Sequence, residues 1–182
     1  MNTIIHPMEV TAAEYLYNNC ILQATLSQVE QASVWYFEAQ EVAEDVAEIL
    51  GTSLEVGASI VSAFSPRERW STNVAKAYAF ANGKPVAGLS NNLKMANAAL
   101  EQGFDALKGQ KTNAFARAIA GDHNAVVIDV WMCRAANAQT DSPSKGLYTT
   151  LCDAVSAVAG DHGITPRTAQ ALIWIVKRGS AA

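Results

Sequence analysis

Residues 1–64 contain no lysine and no arginine, although Glu9, Glu14, Glu30, Glu38, Glu41, Glu44, Asp45, Glu48 and Glu55 all fall there. Taken alone, that acidity and the net charge of -4 argue against a nucleic-acid partner. Cysteine is scarce: Cys20, Cys133 and Cys152 lie far apart, which excludes a disulfide framework and a zinc knuckle and fits an intracellular chain. The histidines, His6, His123 and His162, have no metal-ligand spacing, so neither metal nor cofactor is expected. No apolar run approaches the ~20 residues that a membrane span requires. The first residues lack the basic, apolar and small-residue series of a signal peptide, and a cytoplasmic protein is the expectation. Repeats and low-complexity tracts are absent as well.

What remains is a chain of 182 residues, half of them hydrophobic. That suffices for one domain spanning residues 1–182, with at most two lobes around a cleft. The positive charge is concentrated. Arg67, Arg69, Lys76, Lys84, Lys94, Lys108, Lys111 and Arg117 face only Glu68, Glu101 and Asp105 between residues 65 and 117. A basic face on an acidic protein can engage phosphates. The same pattern also fits a patchwork of solvated helix faces.

Helical signals dominate. Thr11 reads as the N-cap of a helix to about Leu26, and a second helix runs from about Ser27 to Leu50, closed by Gly51. Ser53 caps an apolar helix ending at Phe64. Ser65-Pro66-Arg67-Glu68 joins an N-cap, a first-turn proline and a glutamate three residues on, predicting a helix from there to about Asn82. Lys84 to Leu89 reads as a loop, and Ser90 as the cap of a helix ending at Gly103. Further helices are expected at about 112–120, 130–137, 146–159 and 166–178, with Val126-Val127-Ile128 buried and 137–146 loose.

Two residues carry the sharpest chemistry. Lys111 falls at a helix start, where the macrodipole disfavours a cation and so favours the free amine that acts as a nucleophile. Asp129 follows a β-branched run and opens the next helix, where it serves as an N-cap, as a catalytic carboxylate, or as both. The alternative for Lys111 is a surface lysine in a tight turn. Trp70, Trp131 and Arg134 flank these positions; aromatics stack on a flipped base and arginine binds phosphate, but tryptophans at helical spacing also build cores. Arg67 and Arg69 beside Pro66 suggest anion contact. Trp174, Lys177 and Arg178 read as a structural helix with a basic end.

Leu107-Lys108-Gly109-Gln110-Lys111, followed by a helix and then Ile128-Asp129-Val130-Trp131, resembles the helix-hairpin-helix DNA glycosylases of the endonuclease III and 8-oxoguanine glycosylase superfamily. There L-P-G-V-G-x-K precedes a helix and V-D-[VT]-[HW]. Ile60-Val61-Ser62-Ala63-Phe64-Ser65, with Asn73 and Ala75 beyond it, resembles that family's L-L-S-A-Q junction. This likeness covers about residues 55–136. The chain as a whole is similar to small proteins encoded by bacteriophages of actinobacteria, which carry W-Y-x-x-A, S-P-R-x-R-W-x-x-N, K-T-N-A-F and I-D-V-W-M; here these are Trp35 to Ala39, Ser65 to Asn73, Lys111 to Phe115 and Ile128 to Met132.

The resemblance implies an all-α, helix-hairpin-helix glycosylase-like fold without the iron–sulfur cluster, since the four-cysteine loop of endonuclease III is missing. It implies that Lys111 attacks the sugar C1′ and forms a Schiff base while Asp129 stabilises the developing sugar cation. DNA is the implied partner, through Arg67, Arg69, Trp70, Asn73, Gly109, Gln110, Trp131 and Arg134. Phe64 stands where endonuclease III has a gap-filling glutamine, and serves as an intercalating wedge or as core. The hairpin is shorter than the family's and offers a phosphate fewer backbone N–H donors. The expected function is therefore base excision or another DNA modification: N-glycosidic cleavage of a modified base, transfer chemistry that hypermodifies thymine in phage DNA, or a non-catalytic module binding DNA or a host protein.

Overall fold

A computed structural model describes residues 10–88 and 90–180. Among them the regular structure is entirely helical: α1 (Val10–Leu22), α2 (Leu26–Leu50), α3 (Leu54–Phe64), α4 (Trp70–Ala81), α5 (Ser90–Gln102), α6 (Gln110–Ile119), α7 (Val130–Ala135), α8 (Lys145–Asp161) and α9 (Pro166–Arg178), with a 3-10 turn at Gly103–Ala106 after α5. No single helix among the described residues is long and apolar enough to cross a membrane. His6 and Leu89 lie outside the described residues, so the expected loop is described only from Lys84 to Gly88.

Most helix ends have a local cause. Ser53, Ser144 and Thr165 are N-caps whose side chains accept from Val56 N, Leu147 N and Thr168 N. Pro166 opens α9, and Gly179 closes it at a φ of 99°. Two starts differ from the sequence reading. Thr11 lies inside α1, which ends at Leu22 rather than near Leu26. The chain turns there because Thr25 and Gln28 form a reciprocal capping box: Gln28 N donates to Thr25 Oγ1 at 3.3 Å and Thr25 N to Gln28 Oε1 at 2.9 Å. The helix expected to open at Ser65-Pro66 opens only at Trp70. Ser65 is instead the C-cap of α3, and Arg67 takes a left-handed φ of 64°, which a helix cannot contain. The intervening Glu68 is tied to Lys76 of α4 by a half-buried ion pair.

The chain divides into two compact units. One is continuous, residues 34–125. In it α3 packs on α4, α5 and α6, and Ala58, Ile60, Val61, Ala63 and Phe64 of α3 are all buried. Gly57 lets α3 approach α2 closely: a Cβ there would stand 2.1 Å from the Ala43 carbonyl oxygen. Gly103 bends the chain at a φ of 52° into the 3-10 turn, where Glu55 Oε1 accepts from Phe104 N at 3.1 Å.

The other unit joins residues 10–33 to residues 126–180. Its described core sets Ala13 and Tyr17 of α1 against Met132, Leu151, Val155 and Ile173. Val126, Val127 and Ile128 are buried, as expected. They pair with no strand; instead the Tyr148 hydroxyl accepts from Ile128 N at 3.2 Å and donates to Val126 O at 3.1 Å. The Tyr17 hydroxyl donates to Met132 O at 3.1 Å. The Tyr148 phenol thus serves buried backbone that no regular element satisfies, while Tyr17 adds a second bond to a carbonyl that already accepts from Ala136 N.

Candidate functional site

Lys111 is the second residue of α6, one position after Gln110 and two after the N-cap Gly109. Gly109 has no side chain to cap with, so the first-turn N–H groups take no side-chain cap bond. The turn before α6 is held from both sides. Asn113 Nδ2 donates to Phe104 O at 2.9 Å and to Leu107 O at 3.3 Å, and Ser62 Oγ donates to Thr112 O at 2.7 Å. Leu107 is buried, whereas Lys108, Gly109 and Gln110 are exposed. Lys111 itself is half-buried, and its amine has no hydrogen bond or ion pair among the described residues. An uncommitted amine thus sits beside uncapped N–H groups, an arrangement suited to an anionic or electrophilic partner.

Asp129 belongs to the unit formed by the chain ends, Lys111 to the other. Asp129 is the N-cap of α7: Oδ1 accepts from Trp131 N at 2.9 Å and Met132 N at 3.1 Å. Its Oδ2 accepts from the indole Nε1 of Trp174 at 2.9 Å. The tryptophan read from sequence as part of a structural helix is therefore a direct partner of the aspartate. Arg178 lies over the Trp174 ring, 4.7 Å from its centroid. Trp131 carries a similar stack, with Arg134 at 5.1 Å. Arg134 is also clamped by Asp141 through bonds of 3.2 and 2.8 Å, which raises its pKa. Any phosphate contact by Arg134 competes with that carboxylate.

The remaining candidates lie in the unit of residues 34–125. Phe64 is 2% exposed and meets Phe80 edge-on at 5.7 Å, so here it is core. Trp70 is half-buried, 5.2 Å from Trp35 and 6.4 Å from Phe115, which in turn meets Tyr36 at 6.4 Å. Three of the four short motifs therefore supply rings to one cluster, which gives them a packing role. Asn73 is buried, and its Oδ1 accepts no hydrogen bond from the described residues. Arg67 and Arg69 are exposed; Arg69 is the N-cap of α4 and makes no side-chain cap bond.

The cysteines lie in the unit of the chain ends. All three are free, and burial raises each thiol's pKa, Cys133 to about 11 and Cys152 to about 12. Their pKa values in the folded protein exceed the ordinary thiol value of 9.0, so burying the neutral thiols stabilises the fold fully below pH 9.0. That contribution is lost as the pH rises through about 11 and about 12. The urea midpoint is expected to fall between pH 8 and pH 11, and Ellman's reagent at pH 8 to label Cys133 only as the protein unfolds. Rapid native labelling of Cys133 would refute its burial. Among the described residues no group of three or more His, Cys, Asp or Glu is placed to hold a metal ion.

Residues 9–181 match a family of unknown function, DUF7178, and the chain belongs to that family. No curated protein matches the chain. No solved structure matches it either.

Proposed function

We propose that this DUF7178 member processes bases in DNA, by N-glycosidic cleavage of a modified base with Lys111 as the nucleophile. The observation that carries the reading is the half-buried, unpaired Lys111 amine beside the uncapped start of α6. In this reaction the amine attacks the sugar C1′, the bond from C1′ to the base breaks, and the base leaves with the bonding electrons. The sugar ring then opens as a proton passes from the nitrogen to the ring oxygen, which gives a Schiff base. Asp129 stands in the other unit, and its Oδ2 accepts one hydrogen bond and keeps capacity for another interaction.

Borohydride reduction tests this directly. On phage DNA carrying its natural base modifications, wild-type protein is expected to be trapped covalently and Lys111→Ala to give no adduct. Equal trapping of the two would remove Lys111 from the reaction. No adduct and no released base would remove the cleavage reading, and modification of intact strands that depends on an added amine would point to transfer chemistry instead.

A second reading has its own observation. The hydrogen bonds of Asp129 suffice to explain an aspartate at that position without chemistry. A non-catalytic module binding DNA or a protein would keep its affinity in Asp129→Asn.

A further inference from the structure

The Lys111 amine makes no hydrogen bond or ion pair among the described residues, so the backbone that carries it decides where it stands. That backbone is the first turn of α6, whose N-cap Gly109 has no side chain to cap with. A helix start of this kind frays, because its N–H groups have only water to bond. Here Asn113, the fourth residue of α6, ties the turn instead. Its Nδ2 donates backwards to Phe104 O at 2.9 Å and Leu107 O at 3.3 Å, and its backbone N–H donates to Gly109 O at 2.9 Å. Its Oδ1 accepts from Arg117 Nε at 2.9 Å, and the Arg117 guanidinium lies 4.7 Å from the centroid of the Phe104 ring. Phe104 is held from its other side, where its N–H donates to Glu55 Oε1 at 3.1 Å. The Asn113 amide is thus engaged at both its nitrogen and its oxygen. All of these residues lie in the unit of residues 34–125. Asparagine is a weaker helix former than alanine, a deficit that these bonds offset.

We propose that Asn113 is a positioning residue for Lys111. By joining residues 104–107 to the first turn of α6, it holds the amine in one place before a substrate arrives. This role rests on the reading of Lys111 as the nucleophile. It divides the labour within Lys111-Thr112-Asn113: the lysine reacts and the asparagine aims it.

The test compares Asn113→Asp with wild type. The aspartate keeps an oxygen for Arg117 but turns an acceptor toward the two carbonyls that Nδ2 served. On the phage DNA, the single-turnover rate of borohydride adduct formation is expected to fall about tenfold or more, with DNA affinity unchanged. Tyr78→Phe, which loses the Tyr78–Asp45 bond of the same unit, is expected to react at the wild-type rate. A second readout needs no DNA. After reductive methylation with ¹³C-formaldehyde, the Lys111 resonance, identified by its loss in Lys111→Ala, is expected to stand apart from those of the mobile lysines and to join them in Asn113→Asp. A wild-type adduct rate in folded Asn113→Asp would overturn the proposal. So would an equal loss of rate in Tyr78→Phe, which would reduce the effect to stability, or a Lys111 resonance that the substitution leaves in place. Failure of wild-type protein to form any adduct would defeat the proposed reaction, and the resonance would then decide by itself whether Asn113 fixes the amine.

Discussion

Gly57→Ala is expected to destabilise the protein by about 3 kcal/mol, at the upper end of ordinary overpacking. Helix propensity alone predicts the reverse, a gain of about 1 kcal/mol when alanine replaces glycine in a helix. Contact geometry decides the sign. The added methyl carbon would lie 2.1 Å from the Ala43 carbonyl oxygen and 3.0 Å from the Ala47 Cβ. The nearer obstacle is backbone, so no rotamer change relieves it, and α2 and α3 have to separate. Urea denaturation of both proteins measures the difference. A rise in the midpoint would mean that the two helices do not approach as described.

The second large effect is at Asp129. Asp129→Ala removes the cap from Trp131 N and Met132 N, a loss of about 1–2 kcal/mol. It also leaves the Trp174 indole N–H without its acceptor, which costs about 1 kcal/mol at a half-buried site that water partly reaches. The expected total is about 2–3 kcal/mol. Asp129→Asn keeps one carbonyl oxygen for the cap but turns an N–H₂ group toward the indole, so about half of the loss is expected. The indole N–H resonance of Trp174 should move in both variants. Wild-type stability in Asp129→Ala would show that the cap and the indole bond contribute nothing. The pair also separates roles: a folded Asp129→Asn that no longer forms the borohydride adduct points to chemistry, and one that traps normally points to structure.

The helices were largely legible because their signals are local. Ser53, Thr165-Pro166 and Gly51 mark their boundaries through contacts within one turn. Ser65-Pro66-Arg67-Glu68 carries the same kind of signal and misleads, because Arg67 adopts a left-handed backbone that side-chain types do not announce. Thr25 and Gln28 were readable as a capping box, and with them the end of α1. The surroundings of Asp129 were half legible. Its cap is local, whereas Trp174 lies 45 positions away and reaches it only through the packing of α7 on α9. The ring cluster was hidden likewise: Trp35, Trp70 and Phe115 stand on three helices, and no spacing rule links them.

That division has a consequence for the order in which the molecule is made. Residues 34–125 form a continuous stretch, whereas the described core partners of α1 lie among residues 126–180. On the ribosome, α1 emerges before the helices that cover it. The internal contacts of residues 34–125 become available as soon as that stretch is released, while Tyr17 waits for Met132. Closing contacts across so long a stretch of chain is slow compared with local helix formation. A nascent chain halted before α7 would therefore hold residues 34–125 with their own contacts available and α1 without its partners, the form in which chaperones and proteases would meet it.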